Sequence, residues 1–254
     1  MAYFVGIDLA WRSARNPTGA AVLNGNDVGA VLHCISPPLR SESEILSFVD
    51  DFPPEDTVVA IDGPLVITNE VGLRSCERSV STRYGSRHAS CHSSNLRLYP
   101  DPFSVRLARY LTARGFRHPG QEPDRRGTVL EVYPHAAFVA LFDLPEIIRY
   151  KKGRVLQRAA GLRSVQAILR GLSSEDPPLS PNPELDRFLN VNPALLRGAA
   201  RKDYEDSLDA VFCAFLAFYF WRWGFDRSEL FGDVSDGYIV NPKLRRDFNR
   251  PSAA

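Results

Sequence analysis

The chain has little of what marks a secreted, membrane-spanning or nucleic-acid-coating protein. Its 254 residues hold four cysteines, Cys34, Cys76, Cys91 and Cys213, with no C-x-x-C pair and no disulfide-framework spacing. The longest apolar run, Ala210 to Phe220, is too short to cross a bilayer as a helix. No Gly-rich phosphate loop of the GxxxxGK[ST] type is present. No internal repeat or low-complexity tract is visible either. Lysine is scarce, occurring only at Lys151, Lys152, Lys202 and Lys243, so arginine carries nearly all the positive charge. Arginine suits bidentate recognition of phosphate or carboxylate, and a GC-rich coding bias would give the same composition. With 31 Lys and Arg against 30 Asp and Glu, the net charge of +1 excludes a strong non-specific pull on nucleic acid.

What is present suits a cytoplasmic protein with reduced thiols and no membrane segment. The chain enters a strand at once, with no signal-peptide pattern. A hydrophobic share of 44% supports a sizeable core, and no linker divides residues 1–254, so a single domain is expected.

Tyr3 to Leu9, Gly19 to Leu23 and Val28 to Ile35 read as three strands, the last two joined at the turn signal Asn24-Gly25-Asn26-Asp27. Ser41 and Glu44 form a capping-box pattern ahead of a helix to Asp50. Thr57 to Asp62 is a short apolar run closed by Gly63-Pro64, the profile of a buried central strand. Residues 65–127 break this rhythm as an Arg/His-rich, partly loop-like insertion, with short helices at Arg74 to Tyr84 and Phe103 to Arg114. Thr128 to Tyr133 then restores a buried strand. Helices are expected at His135 to Phe142, Arg154 to Leu172, Glu184 to Ala200 and Tyr204 to Trp223, and a small strand at Tyr238 to Val240.

Five carboxylates stand where an apolar pattern makes them costly. Asp8 and Asp62 each end an apolar strand, and parallel pairing would bring both to one edge of the sheet. Two buried Asp residues side by side repel unless a cation sits between them. Asp206 and Asp209, three apart, share one helix face. The helix macrodipole suffices to explain acids at a helix start, and explains Asp209 least well. Glu131 interrupts Val129 to Tyr133. Such a set suits Mg²⁺ or Mn²⁺, with Asp8, Asp62 and Asp209 as metal ligands and Asp206 and Glu131 as fourth ligand or base. Arg74, Arg78, Arg83 and Arg87 would face substrate phosphates, although a solvated helix face explains their spacing nearly as well. His88, Cys91, His92 and Cys76 match no familiar zinc spacing. His135 follows the Glu131 strand as a helix-start residue within reach of proton transfer.

The order of three strands, a helix and a strand, with Asp on strands one and four and acids on a late helix, resembles the ribonuclease-H-like superfamily. More closely, the stretches Val5 to Ala10, Ala60 to Leu65, Arg74-x-Cys76-Glu77-Arg78, Glu131 to Ala136 and Asp206 to Ala210 resemble the family of domain of unknown function 429. That resemblance implies an α/β fold with a mixed five-stranded sheet flanked by helices, the insertion lying between strands four and five. It also implies a metal-dependent nuclease acting on a nucleic acid or nucleotide substrate. Two rivals fit parts of the pattern. An actin-like or sugar-kinase-like phosphotransferase also begins with a Gly-x-Asp strand but needs two domains. A non-catalytic binding module would use the acids structurally.

Overall fold

The computed structural model describes residues 1–11, 16–120 and 124–248. Its elements run β1 (Ala2–Asp8), β2 (Gly19–Gly25), β3 (Ala30–Ile35), α1 (Glu42–Asp50), β4 (Thr57–Asp62), α2 (Ser75–Tyr84), α3 (Phe103–Ala113) and β5 (Thr128–Val132). They continue with α4 (Pro134–Leu141), α5 (Val155–Gly171), β6 (Leu179–Ser180), α6 (Pro183–Leu189), α7 (Gly198–Trp223), β7 (Ser228–Asp233) and β8 (Gly237–Pro242).

Local chemistry explains most of these boundaries. Asn26 closes the β2–β3 hairpin, its Oδ1 accepting from Val28 N at 2.9 Å. Ser41 and Glu44 form the capping box at the start of α1. The helix expected over Glu184 to Ala200 stops at Leu189. Pro193 lies just beyond, and the residue before a proline is driven away from helical geometry. The last long helix therefore starts afresh at Gly198, earlier than expected.

All strands join one sheet in the order β6-β3-β2-β1-β4-β5-β8-β7, so the sheet has eight strands where five were expected. The additions lie at the edges. Leu179–Ser180, in the proline-rich segment between α5 and α6, pairs with the start of β3. The C-terminal hairpin β7–β8 adds beside β5, with Val240 opposite Val132. The sheet is mixed: β1, β4, β5 and β8 run parallel, while β2 and β7 are antiparallel to their neighbours.

Helices cover both faces. One face packs on α7, whose aromatic and alanine residues join Phe4, Val58, Ala60 and Leu130 in the larger core. The other packs on α1 and α3, where Ile45, Val49, Leu107 and Leu111 meet Val5, Ile7, Val59 and Ile61. The segment 65–127 is therefore more than a loop-like insertion. Its α3 completes the second layer, and its α2 packs Cys76, Val80 and Tyr84 against Ala136, Val139 and Ile239. The Gly198–Asp226 stretch is long and apolar enough to cross a membrane by composition, but here it is the core helix, mostly buried within the molecule.

Candidate active site

Strand parity decides which carboxylates meet. Asp8 and Asp62 end neighbouring parallel strands as direct partners in register. Side chains alternate faces along a strand. Phe4, Val58 and Ala60 point to α7, and Val5, Ile7, Val59 and Ile61 point away from it. By the same alternation Asp8 and Asp62 face α7. On β5, Leu130 and Val132 belong to the α7 face, which turns Glu131, the register partner of Ile61, to the opposite one.

Glycine brings the helix down onto these strands. A Cβ on Gly6 would lie 2.1 Å from Ala210 O and from Ala214 N, and one on Gly19 would lie 2.4 Å from Asp206 O. Only a residue without a Cβ allows so close an approach. From Asp206 toward Phe218, α7 runs back along β1, because Phe218 packs on Phe4 with ring centroids 4.8 Å apart. Asp206 therefore sits at the carboxyl end of the strands, and Asp209 lies one turn deeper. Both are well inside a helix that begins at Gly198, beyond the first turn where the macrodipole acts.

The two helix acids have different surroundings. Asp209 is fully buried, and neither of its oxygens is open. Its Oδ1 accepts from the buried Tyr150 hydroxyl at 2.6 Å, and its Oδ2 meets Lys151 Nζ at 2.6 Å. The same ammonium lies 3.7 Å from Asp8 Oδ2. Asp206 Oδ1 pairs with Lys202 one turn earlier on α7. Within this cluster Asp8 Oδ2, Asp206 Oδ2 and Asp209 Oδ2 are buried without a hydrogen-bond partner, Asp209 Oδ2 meeting the Lys151 ammonium as an ion pair.

A cavity of about 1340 Å³ opens over this cluster, with Asp8, Asp62 and Asp206 on its wall. Asp209 does not reach it. Lys151, Lys152, Lys202 and Arg149 supply positive charge around it, and Trp11, Tyr133 and His135 add ring surface. Three of the four lysines of an arginine-rich chain thus gather at one cavity.

Glu131 and Arg74 are committed to each other. Arg74 Nη1 and Nη2 donate to Glu131 Oε2 and Oε1 at 2.9 and 2.5 Å, and Leu65 N adds a bond of 2.8 Å to Oε2. Arg74 Nε meets Glu77 Oε1 at 2.9 Å, and its Nη1 also reaches Val66 O at 2.9 Å. This closed network holds the turn after β4 against β5. It turns Glu131 to the opposite strand face from Asp8 and Asp62, although Glu131 and Arg74 also line the cavity, and it leaves Arg74 little freedom to bind phosphate. The other three arginines lie off the cavity wall. Arg78 binds Leu73 O, Arg83 pairs with Asp247, and Arg87 reaches Asp143 Oδ1 at 3.0 Å and Leu144 O at 2.9 Å. The expected group of four arginines is not assembled at the cavity, where only Arg74 of the four stands on the wall, with Lys151, Lys152, Lys202 and Arg149.

Electrostatics follow from the geometry. Burial pushes the Asp8 carboxyl up, Lys151 partly offsets this, and Asp209 adds to it. Asp62 is held well above the ordinary range by burial and then by Asp8. Burial and Asp8 push Asp206 up to about 8. Burial opposes the charge of Lys151, but Asp209, with Asp8 and Asp62, outweighs it and holds the ammonium protonated. Burial, then Lys151, lowers His135 to about 4, so it is neutral near pH 7, and its Nδ1 has no hydrogen-bond partner.

Raised carboxyls and unpartnered buried oxygens are the marks of a site that favours an added cation. The donors are hard oxygens, which suit Mg²⁺ or Mn²⁺. Among the described residues no group of three or more His, Cys, Asp or Glu is arranged ready to hold a metal ion, and Cys76, Cys91, His88 and His92 form no such group. The cation standing between Asp8 and Asp209 is an ammonium. Neither Lys151 nor Tyr150 was singled out from sequence as a site residue. The available signal was the rarity of lysine in a chain whose other positive charges are arginine.

No curated protein and no solved structure matches this chain. A family model described as a protein of unknown function, DUF429, matches residues 6–229, from the start of β1's Gly6-Ile7-Asp8 into β7. With most of its length matched, including every acidic residue of the cluster, the chain belongs to the DUF429 family.

Proposed function

We propose that the protein is a metal-dependent phosphodiesterase acting on nucleic acid, working in the lysine-rimmed cavity at the carboxyl end of β1 and β4. The observation that carries this reading is the convergence of Asp8, Asp62 and Asp206 from three separate elements on one cavity, with unpartnered oxygens on Asp8 and Asp206. The inner strand order β3-β2-β1-β4-β5, with β2 antiparallel, supports a ribonuclease-H-like arrangement.

Asp8, Asp62 and Asp206 would hold Mg²⁺ or Mn²⁺, which supplies Lewis acidity and an ionised water near neutral pH. The chain's own groups do the rest. Lys152, Lys202 and Arg149 draw a phosphate-bearing strand to the cavity, and their small number suits a defined substrate better than indiscriminate binding. Lys151 presents positive charge beside Asp8, where charge builds on a phosphoryl oxygen. His135, neutral and with a free ring nitrogen, can accept a hydrogen bond from water or substrate.

The experiment is a cleavage panel of single- and double-stranded DNA, RNA, branched junctions and dinucleotides, with Mg²⁺ or Mn²⁺. Cleavage of at least one class is expected, reduced to background in Asp8→Asn. Wild-type protein inert on the whole panel, or Asp8→Asn as active as wild type, would overturn the proposal.

A further inference from the structure

Four carboxylates gather beneath the cavity: Lys151 pairs with Asp8 and Asp209, Lys202 pairs with Asp206, and Asp62 stands beside Asp8 on the neighbouring strand. Asp209 is the acid that does not contribute to the cavity wall. Tyr150 occupies one of its oxygens and Lys151 the other, both at 2.6 Å, and the carboxylate is fully buried. Lys151 reaches on toward Asp8 Oδ2 at 3.7 Å, so a single positive charge spans two acids contributed by different elements. About a third of its side chain is accessible, at 31%, from the cavity side. A cation bridging two carboxylates while facing a substrate cavity has the placement that a second metal ion has in a two-metal site.

We propose that the ammonium of Lys151 fills one of two cation positions over this floor, so that the site takes a single divalent ion, held by Asp8, Asp62 and Asp206. This rests on the metal-dependent reading above and refines it. With all four acids ionised, Lys151 and Lys202 leave two negative charges, which is one divalent ion's worth. The open oxygens agree with this count. Asp8 Oδ2, Asp206 Oδ2 and Asp209 Oδ2 all lack hydrogen-bond partners, but the Asp209 oxygen is closed by Lys151 at 2.6 Å, its other oxygen is held by Tyr150, and it lies off the cavity wall. Lys202 does not block the remaining position, because its side chain is 43% exposed and can leave Asp206 for a phosphate. Lys151 is held by a carboxylate that has no other role at the cavity surface.

Counting Mn²⁺ per chain by equilibrium dialysis and by electron paramagnetic resonance tests the proposal without reference to activity. Wild type should bind one Mn²⁺ with the spectrum of an isolated ion. Lys151→Arg, which keeps a cation, should also bind one. Lys151→Gln should bind two, with a spin-coupled spectrum. Two ions in wild type, or one ion in folded Lys151→Gln, would sink the single-ion proposal and leave the metal-dependent reading intact. No Mn²⁺ in any of the three proteins would remove both. Should Lys151→Gln fail to fold, a Mn²⁺-soaked wild-type crystal decides instead. One ion beside Asp8, Asp62 and Asp206, with Lys151 still on Asp209, supports the proposal, and an ion that displaces Lys151 from Asp209 overturns it.

Discussion

Arg74 meets Glu77 and Glu131 with its guanidinium almost wholly out of solvent, at 2% side-chain exposure. Such a network stabilises weakly as a whole but becomes costly when one partner is lost, because the remaining charge stays buried. Arg74→Ala should therefore lower unfolding free energy by about 3–5 kcal/mol, read from urea denaturation. Loss of less than about 1 kcal/mol would show that Glu131 finds water or a proton instead. Glu131 also shows how far a sequence can be read at this scale. Its burial in an apolar strand was legible, and so was the need for a partner. The partner was not, because β5 parity turns Glu131 away from Asp8 and toward an arginine 57 residues away in the chain. Asp206 and Asp209 divide in the same way. Three residues of helix separate an acid on the cavity wall from one sealed beneath Tyr150 and Lys151.

At the scale of elements, the contact of α7 with β1 and β2 sets the site. Gly6 and Gly19 remove the side chains that would hold the helix off, and the separation of Asp206 from Asp8 follows from that approach. Gly6→Ala places a Cβ 2.1 Å from backbone on a helix that cannot give way locally. We expect a loss of about 1–3 kcal/mol or more, with weakened Mn²⁺ binding as Asp206 moves from Asp8. Gly171→Ala is the control. Nothing lies within 4 Å of its added methyl, and at the end of α5 it should be neutral or stabilising by up to about 1 kcal/mol. Equal behaviour of the two variants would refute the close-approach account. The helix itself was visible in sequence as the longest apolar stretch, but its start was not. The segment Gly198 to Asp203 lacks large apolar residues, so no hydrophobic periodicity marks it as part of α7.

For the whole molecule, the acidic floor ties stability to pH and, on the proposed reading, to metal. An acid whose folded-state value is raised binds its proton more tightly folded than unfolded. Asp206, raised from 3.8 to about 8, therefore stabilises the metal-free fold at low pH, and that stability is lost as pH rises toward 8. His135, lowered from 6.5 to about 4, acts oppositely, costing stability below pH 6.5 and recovering it as pH rises from about 4 to 6.5. Between about pH 7 and 8 the histidine contribution has levelled off, so the thermal midpoint of metal-free protein should fall across that window. Added Mn²⁺ should raise the midpoint most at its upper end, where the carboxylates are ionised. At a hundredfold excess over its dissociation constant, binding contributes about 2.7 kcal/mol. A shift of roughly 5–11 °C follows for a chain of this size. A Mn²⁺ effect that is absent, or larger at pH 6 than at pH 8, would count against cation binding at these carboxylates.

The sequence by itself determined the α/β class, the first hairpin, the capping of α1, and the buried strands ending in Asp8 and Asp62. These are local properties of period, turn chemistry and burial cost, which neighbouring residues suffice to express. Tertiary structure alone decided the edge strands β6 and β7, the joining of the expected Tyr238–Val240 strand to the sheet, the covering role of the 65–127 segment, the pairing of Arg74 with Glu131, and which of Asp206 and Asp209 reaches the cavity wall. It also decided that the chain's own positive charge stands between Asp8 and Asp209. Lys151 lies 143 positions from Asp8 and 58 from Asp209, and only the packing of α7 on β1, with the loop before α5 folded over both, brings its ammonium between them.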